Sequence, residues 1–191
     1  MKESIQYRLA RAIIRHLRAD KELTYQAPGA EEPEHIVYGE PFDSADQAAA
    51  LAVASAQYGV AVMVAPQGVR APESTQTGYA SMLELTAVVY VLSTRQVPSA
   101  CTVELPGGGL QELRSAGELA ATYADRVAAR LLTWMPEVLE LAPLERPSVS
   151  DILTLDMQAS KDFPGHENLV GSAIIISQKV NYREYYGLRK R

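Results

Sequence analysis

The segment "MLELTAVVYVLSTR", residues 82–95, carries the strongest strand signal in the chain and decides the predicted fold. It is rich in β-branched and aromatic residues, which are typical of strands. Apolar side chains fall on both alternating faces, which predicts a central strand covered on both sides. One face holds Leu85, Ala87, Val89 and Val91, and the other holds Val88, Tyr90 and Leu92.

Segments before and after this strand complete the predicted sheet. "GVAVMVAP", residues 59–66, predicts a strand that is stopped by Pro66. Two closing strands are predicted over 150–160, where the alternation indicates a half-exposed strand, and over 169–183. In the last strand, Ile174–Ile176 are expected to cross the core.

The N-terminal segment predicts an amphipathic helix that ends near Asp20. Its apolar stripe recurs every four residues, and four arginines form a second stripe on roughly the opposite side. His16 falls on the apolar side, where we expect a packed or bordering histidine. The apolar stripe consists of Ile5, Leu9, Ile13 and Leu17, and the arginine stripe of Arg8, Arg11, Arg15 and Arg18.

Two further helices begin at capping boxes, in which a serine precedes Glu or Gln by three residues. One runs from Ser44 to Gly59, and its many alanines indicate close packing against a flat surface. The other starts at Ser115 and is stopped by Pro136. Its predicted buried stripe is Leu119, Tyr123, Val127 and Leu131, with Leu132 and Met135 beside it and Trp134 as a core anchor.

These elements predict an α+β fold, in which a mostly antiparallel sheet carries the N-terminal helix and the two further helices. A single domain is predicted over 1–183, followed by a basic C-terminal arm over 184–191. The domain contains long loops at 26–41, 67–81 and 96–116, the first with a short strand at His35–Tyr38.

Charge is distributed unevenly along the 191 residues, whose net charge is −5. Residues 1–21 carry +4 and residues 179–191 carry another +4, which leaves −13 on residues 22–178. A duplex-binding domain is more often basic throughout. An acidic body between basic ends favours a contact in which the basic end of one molecule binds the acidic body of another copy or of a neighbouring protein. Simple solvation of both ends explains the charge distribution equally well.

The sequence contains few residues in patterns typical of disulfide, metal-binding or catalytic sites. The single cysteine, Cys101, excludes an internal disulfide, and no apolar run is long enough to predict a membrane span. His16, His35 and His166 are far apart, and no metal-binding or nucleophile motif occurs. "DFPGHEN", 162–168, is more typical of a polar turn than of an acid–base cluster. We therefore predict a non-enzymatic protein with no catalytic residues, cofactor or metal site.

The C-terminal "NYREYYGLRKR", residues 181–191, interleaves tyrosines with basic groups. This mixture is found where single-stranded nucleic acid binds, and equally in arms that dock on proteins. We predict a docking arm, because the acidic body would weaken nucleic-acid binding. The interface candidates are the arginine stripe (Arg8, Arg11, Arg15 and Arg18) together with Tyr182, Arg183, Tyr185, Tyr186, Arg189, Lys190 and Arg191.

The order of these elements resembles the tail terminator and tail completion proteins of long-tailed bacteriophages, including a Mu-like phage tail protein family. The resemblance covers roughly 1–20 and 44–186. It is carried by "AVVYVLSTR", by the "LL-x-W" end of the following helix, and by "GSAIIISQKVNYREY". The loop at 96–116 and the insertion at 26–41 depart from the family pattern.

The resemblance implies a virion protein at the tail–neck junction, assembled in the host cytoplasm. Such proteins form a ring, usually of six copies, that caps the tail tube, stops its polymerisation and provides the joining surface for the head. The implied partners are further copies of the chain, the tail tube protein, a neck or head-completion protein and, in contractile tails, the sheath. Genomic DNA would pass through the lumen without specific binding, and no membrane is involved.

Two other functions remain open from the sequence. The nearest alternative is a head–tail joining (neck or connector) protein. A nucleic-acid-binding module is a different class, and it rests on the arginine stripe and the basic C-terminal arm. A ring makes head-to-tail contacts and needs two different complementary surfaces on each subunit, which the opposite charges of ends and body can provide.

Overall fold

The computed structural model describes residues 4–25, 31, 34–37, 59–70, 82–94, 102–104, 108–112, 116–134, 148–156 and 169–181. Within these residues the chain forms two helices and eight strands. The helices are α1 (Ile5–Arg18) and α2 (Ala116–Thr133). The strands are β1 (Thr24–Tyr25), β2 (Glu34–His35), β3 (Val60–Arg70), β4 (Met82–Thr94), β5 (Thr102–Glu104), β6 (Leu110–Glu112), β7 (Ser148–Asp156) and β8 (Leu169–Asn181).

The main sheet has four strands in the order β3-β4-β8-β7, and every neighbouring pair is antiparallel. The strand formed by the segment 82–95 is β4, which lies between β3 and β8 as predicted. Together with α1 and α2, this sheet makes the chain a mixed α+β fold. The predicted helix from Ser44 to Gly59 lies outside the described residues except for Gly59 itself.

Both helices pack on one face of the sheet. The α1 helix lies over β3 and β4, whereas α2 lies over β8, β4 and β7. Their apolar stripes meet alternate side chains of the strands, so burial of apolar surface holds the two layers together. The strand residues of this core include Val60, Val62, Val64, Leu85, Ala87, Val89, Val91, Ile174, Ile176 and Val180.

The opposite face of the sheet is buried as well. Met63 on β3 and both Val88 and Leu92 on β4 have almost no exposed surface. These residues alternate with the helix-facing set, as strand geometry requires. The prediction that the central strand is covered on both sides is therefore confirmed.

The prediction that Pro66 ends its strand was wrong, because β3 continues to Arg70. The pairing register with β4 shifts between Pro66 and Gly68, which marks an irregularity of the ladder. Proline has no N–H, so it is tolerated at a bulge or on an edge strand, and β3 is an edge strand. The first four residues of the predicted 67–81 loop thus belong to β3, and residues 71–81 lie outside the described residues.

Two other predicted loops contain short strands. In the 26–41 region, β2 pairs antiparallel with β1, and Val37 forms a parallel bridge with Val62. The strand predicted at His35–Tyr38 is therefore centred slightly too late. Within 96–116, β5 pairs with β6 to form an antiparallel hairpin, so this segment is not entirely irregular.

Two predicted core positions were wrong. Leu132 was placed beside the buried stripe of α2, but its side chain is 58% exposed. Ile175 was expected in the core with its neighbours, yet it points to the opposite face from Ile174 and Ile176 and is only half-buried there. Trp134 lies in the core, as predicted.

An ion pair joins β3 to β4. Arg70 Nε donates a hydrogen bond to Glu84 Oε2 at 2.8 Å. This bond, supported by the Arg70 charge, lowers the pKa of Glu84 below its ordinary value although partial burial opposes the shift. A lowered carboxyl pKa stabilises the fold above the unfolded pKa, and the contribution is lost as pH falls through the lowered pKa. Arg70 is largely exposed, so the contribution is small.

Gln178 is a buried polar residue on β8, and among the described residues neither its Nε2 nor its Oε1 has a hydrogen-bond partner. An unpaired buried amide costs about 1–3 kcal/mol. We therefore expect Gln178→Met, which keeps an unbranched side chain without the amide, to raise the free energy of unfolding by about 1–2 kcal/mol. Chemical denaturation of the purified protein measures this change.

Ser93→Ala is the contrasting variant. Ser93 is also buried, but its hydroxyl donates a hydrogen bond to the carbonyl oxygen of Gly59. Without this donor the Gly59 carbonyl oxygen loses a hydrogen-bond partner. We therefore expect the free energy of unfolding to fall by about 1 kcal/mol. If Gln178→Met destabilises the protein as much as Ser93→Ala does, the amide has a stabilising role and the expectation is wrong.

Candidate assembly surface

The arginine stripe of α1 lies on the side of the helix opposite to its buried stripe. Arg11, Arg15 and Arg18 are exposed and Arg8 is half-buried, while Leu9 and Ile13 are buried. No acidic residue occurs in the helix. The stripe therefore presents positive charge away from the sheet, at the end of the helix layer that lies over β3.

Arg18 also has a local contact. Its Nε donates a hydrogen bond to the carbonyl oxygen of Val37 at 3.1 Å. Val37 bridges to β3, and Ile36 accepts a hydrogen bond from the Val62 N–H at 2.7 Å. Arg18 thus helps to hold a segment that contacts the outer edge of β3 at Val62.

The other predicted interface residues cannot be placed in the fold. Tyr182, Arg183, Tyr185, Tyr186, Arg189, Lys190 and Arg191 lie outside the described residues. The structure brings the four arginines of the N-terminal helix together, as the helical periodicity predicts. Their role in an interface remains a prediction.

The C-terminal ends of the two helices are tied together. Asp20, just after α1, is buried and accepts hydrogen bonds from Nε and Nη2 of Arg130 on α2. His16 stacks on Trp134 with ring centroids 5.1 Å apart, and its Nε2 donates to the carbonyl oxygen of Arg130 at 3.2 Å. These contacts give His16, Asp20 and Trp134 a structural role, because they fix the position of the two helices relative to each other.

Sequence reasoning missed exposed apolar side chains on α2 and on β7, the edge strand opposite β3. Within the described residues four large hydrophobic side chains are exposed, and three of them belong to α2 and β7. Leu132 on α2 is one, and Ile152 and Leu153 on β7 are 48% and 47% exposed. The signal was present in the sequence, because consecutive apolar residues on a strand predicted to be half-exposed must point to both faces.

Three acidic residues are exposed on the same two elements, α2 and β7. Glu118 and Asp125 lie seven residues apart on the exposed side of α2, and Asp151 is exposed on β7. On α2 itself, Arg130 pairs with Asp20, and Arg126 Cζ lies 5.8 Å from the centre of the Tyr123 ring.

The fourth exposed hydrophobic residue belongs to the β5–β6 hairpin. Leu110, the first residue of β6, is 76% exposed. Gly108, in the connection before β6, has a φ of 89°, a left-handed conformation that glycine adopts without strain. Gly108 thus belongs to the connection between the two strands of this hairpin.

The described part of the chain holds no group of three or more His, Cys, Asp or Glu residues arranged to bind a metal ion. None of its helices is long and apolar enough to cross a membrane. Cys101 and the "DFPGHEN" turn lie outside the described residues.

Comparisons with known proteins do not assign a family. The chain matches no protein-family model, and no curated protein is significantly similar to it in sequence.

Proposed function

We propose that this protein is a tail terminator of a long-tailed bacteriophage. Copies of the chain form a ring, hexameric as in the proteins it resembles, on the finished end of the tail tube. The ring stops polymerisation of the tube and provides the surface to which the neck and head attach. The order of elements in the sequence and the antiparallel α+β fold support this proposal.

The observation that carries the proposal is the difference between the two edges of the main sheet. The β3 edge is interrupted by Pro66 and a register shift, and Ile36 and Val37 contact it at Val62. The β7 edge contains no proline, and both Ile152 and Leu153 are exposed there. An exposed apolar edge strand invites association, so a protein that keeps one is typically a subunit of an assembly.

The β5–β6 hairpin supports a second contact of such a subunit. A capping ring must bind a neighbour above and a neighbour below, in addition to its own copies. The hairpin bears an exposed leucine, Leu110. It is suited to contact the tail tube or the neck protein.

Loss of the gene from the phage that encodes this chain tests the proposal. We expect tails of excessive and variable length without heads, because nothing stops growth of the tube. Electron microscopy of lysates measures tail length and head attachment, and expression of the chain from a plasmid is the control that should restore both.

Two other outcomes would reject the terminator role. Headless tails of normal length would indicate the alternative function of a neck or connector protein. Normal tails with heads attached would exclude a role at this junction altogether.

One observation favours a nucleic-acid-binding module as the second candidate. The arginines of α1 lie on one exposed helix face, which is a common arrangement for contacting phosphates. The −13 charge of residues 22–178 opposes such binding. Tight duplex DNA binding that weakens steeply with salt would support this candidate, whereas weak binding at physiological salt supports the ring.

A further inference from the structure

We propose that the basic C-terminal arm (184–191) of one copy adds as a further strand to the outer edge of β7 in the next copy. This inference rests on the proposed function, since it names a contact that would join neighbouring subunits of the ring. The partner is a second copy of this chain, and each copy contributes its arm to one neighbour and its β7 edge to the other. Such a contact joins two different surfaces, as a head-to-tail ring requires.

The outer edge of β7 is open to a partner. Among the described residues β7 pairs only with β8, so its other side carries backbone N–H and C=O groups without a strand neighbour. The five consecutive residues from Ser150 to Thr154 are all exposed. After the register shift near Ser150, the ladder with β8 is regular from Asp151 to Asp156. An extended segment can bind such an edge through main-chain hydrogen bonds.

The apolar side chains of β7 lie on both faces of the sheet, and an added strand would contact both. Ile152 lies on the face that carries the helices, whereas Leu153 lies on the opposite face, and each side chain is about half-exposed. A strand beside β7 projects its own side chains alternately to the same two faces. The consecutive Tyr185 and Tyr186 of the arm can therefore place one ring on each face, next to these two apolar side chains.

The charges of the arm and of β7 are opposite. The β7 sequence contains two aspartates and no lysine or arginine, and Asp151 is exposed. The arm contains three basic residues against one glutamate, which gives it a net charge of +2. Opposite charges favour this contact. They disfavour the pairing of β7 with the β7 of another copy, because that would bring two acidic strands together.

Geometry directs the arm to a neighbouring copy and away from its own β7. Asn181, the last residue of β8, lies six residues beyond Ile175, the ladder partner of Asp151. Six strand residues span about 20 Å, and a strand added to β7 lies two strand spacings, about 10 Å, from β8. An extended chain therefore needs about six or seven residues to return from Asn181 to the level of Asp151. Most of the arm would bridge this distance, and too few residues would remain to pair with the edge.

Mixing two complementary variants tests the inference. Deletion of 184–191 removes the arm and keeps the β7 edge, whereas Leu153→Lys keeps the arm and places a repelling charge on the edge. We expect each variant alone to self-associate about tenfold or more weakly than the wild type. An equimolar mixture should form a heterodimer, because only the mixture contains both an intact arm and an intact edge. Sedimentation velocity over a concentration series measures association, and circular dichroism verifies folding.

A matched control separates the edge from exposed leucines in general. Leu110→Lys makes the same substitution at a still more exposed leucine in the β5–β6 hairpin, and it should leave self-association unchanged. Equal effects of the two lysine variants would contradict the inference.

Salt dependence distinguishes the arm from a second β7 strand as the occupant of the edge. Self-association of the wild type should weaken as salt is added, because screening reduces the attraction between opposite charges. Association that strengthens with salt would indicate the pairing of two acidic β7 edges and would overturn the inference.

Hydrogen exchange locates the contact without any substitution in β7. The amides of Asp151–Asp156 should exchange more slowly in the associated wild type than in the arm-deleted variant, since main-chain hydrogen bonds to the arm protect them. Equal exchange in the two proteins would contradict the inference. Slower exchange in a wild type that is monomeric would mean that the arm binds its own edge, so the contact between copies would be wrong.

The remaining outcomes separate the inference from the proposed function. If the wild-type protein stays monomeric at every soluble concentration, or if the two variants form no heterodimer, the arm-to-edge contact is wrong while the terminator role can stand. If the contact holds but loss of the gene leaves normal tails, the interface is correct and the terminator role is wrong.

Discussion

Leu131→Ala is expected to lower the free energy of unfolding by about 2–4 kcal/mol. Leu131 is 1% exposed and belongs to the core between α2 and the sheet. Truncation to alanine removes buried apolar area and leaves a cavity that a packed helix–sheet interface fills only partly. Urea denaturation of the wild type and the variant, monitored by circular dichroism, measures the difference.

The neighbouring residue supplies a matched control. Leu132→Ala makes the same substitution one position later on the same helix, where the side chain is mostly exposed. Helix propensity changes equally in both variants, so burial is the main difference between them. We expect Leu132→Ala to change stability by no more than about 0.5 kcal/mol. Similar losses in the two variants would mean that α2 is rotated relative to the sheet.

Gly171→Ala is the second substitution with a large expected effect. Gly171 lies on β8 between its ladder partners Leu92 and Leu155. A Cβ there would lie well inside 3.0 Å of the Val91 carbonyl oxygen and of Leu92 Cδ2. Because a backbone atom of the central strand cannot move aside cheaply, we expect a loss of about 3 kcal/mol, as overpacking produces. Thermal unfolding followed by calorimetry measures it.

Gly68→Ala is the corresponding control. A Cβ at Gly68 would meet nothing within 4 Å, and its φ does not lie in the left-handed region. Without strain in the folded state, alanine should be neutral or slightly stabilising, because it reduces the freedom of the unfolded chain. A larger loss at Gly68 than at Gly171 would contradict the close approach of β8 to β4.

The segments that carry the phage resemblance are largely interior. Gly171, Ile174 and Ile176 in "GSAIIISQKVNYREY" are buried, and so are Val89 and Val91 in "AVVYVLSTR". Packing alone explains why these residue types occur there, so the resemblance of these segments is evidence about the fold. Experiments on function are therefore directed at surface residues.

Local patterns in the sequence determined several elements of this protein. Apolar residues on both alternating faces of 82–95 predicted a central strand, and β4 has a neighbour on each side. The four-residue spacing from Ile5 to Leu17 predicted α1 and its exposed arginines. These predictions succeeded because the side-chain periods of strands and helices are local properties that no distant contact needs to supply.

Only the tertiary structure decided which strands form the edges and what each edge exposes. The sequence predicts that Pro66 ends its strand. The strand continues through it, because β3 lies at an edge of the sheet and its ladder can shift register. Leu131 and Leu132 are chemically identical neighbours, and the docking direction of α2 alone makes one buried and the other exposed. The exposure of Leu132, Ile152 and Leu153 depends on strand order and helix placement. Both are set by contacts between residues far apart in the chain, which local periodicity does not encode.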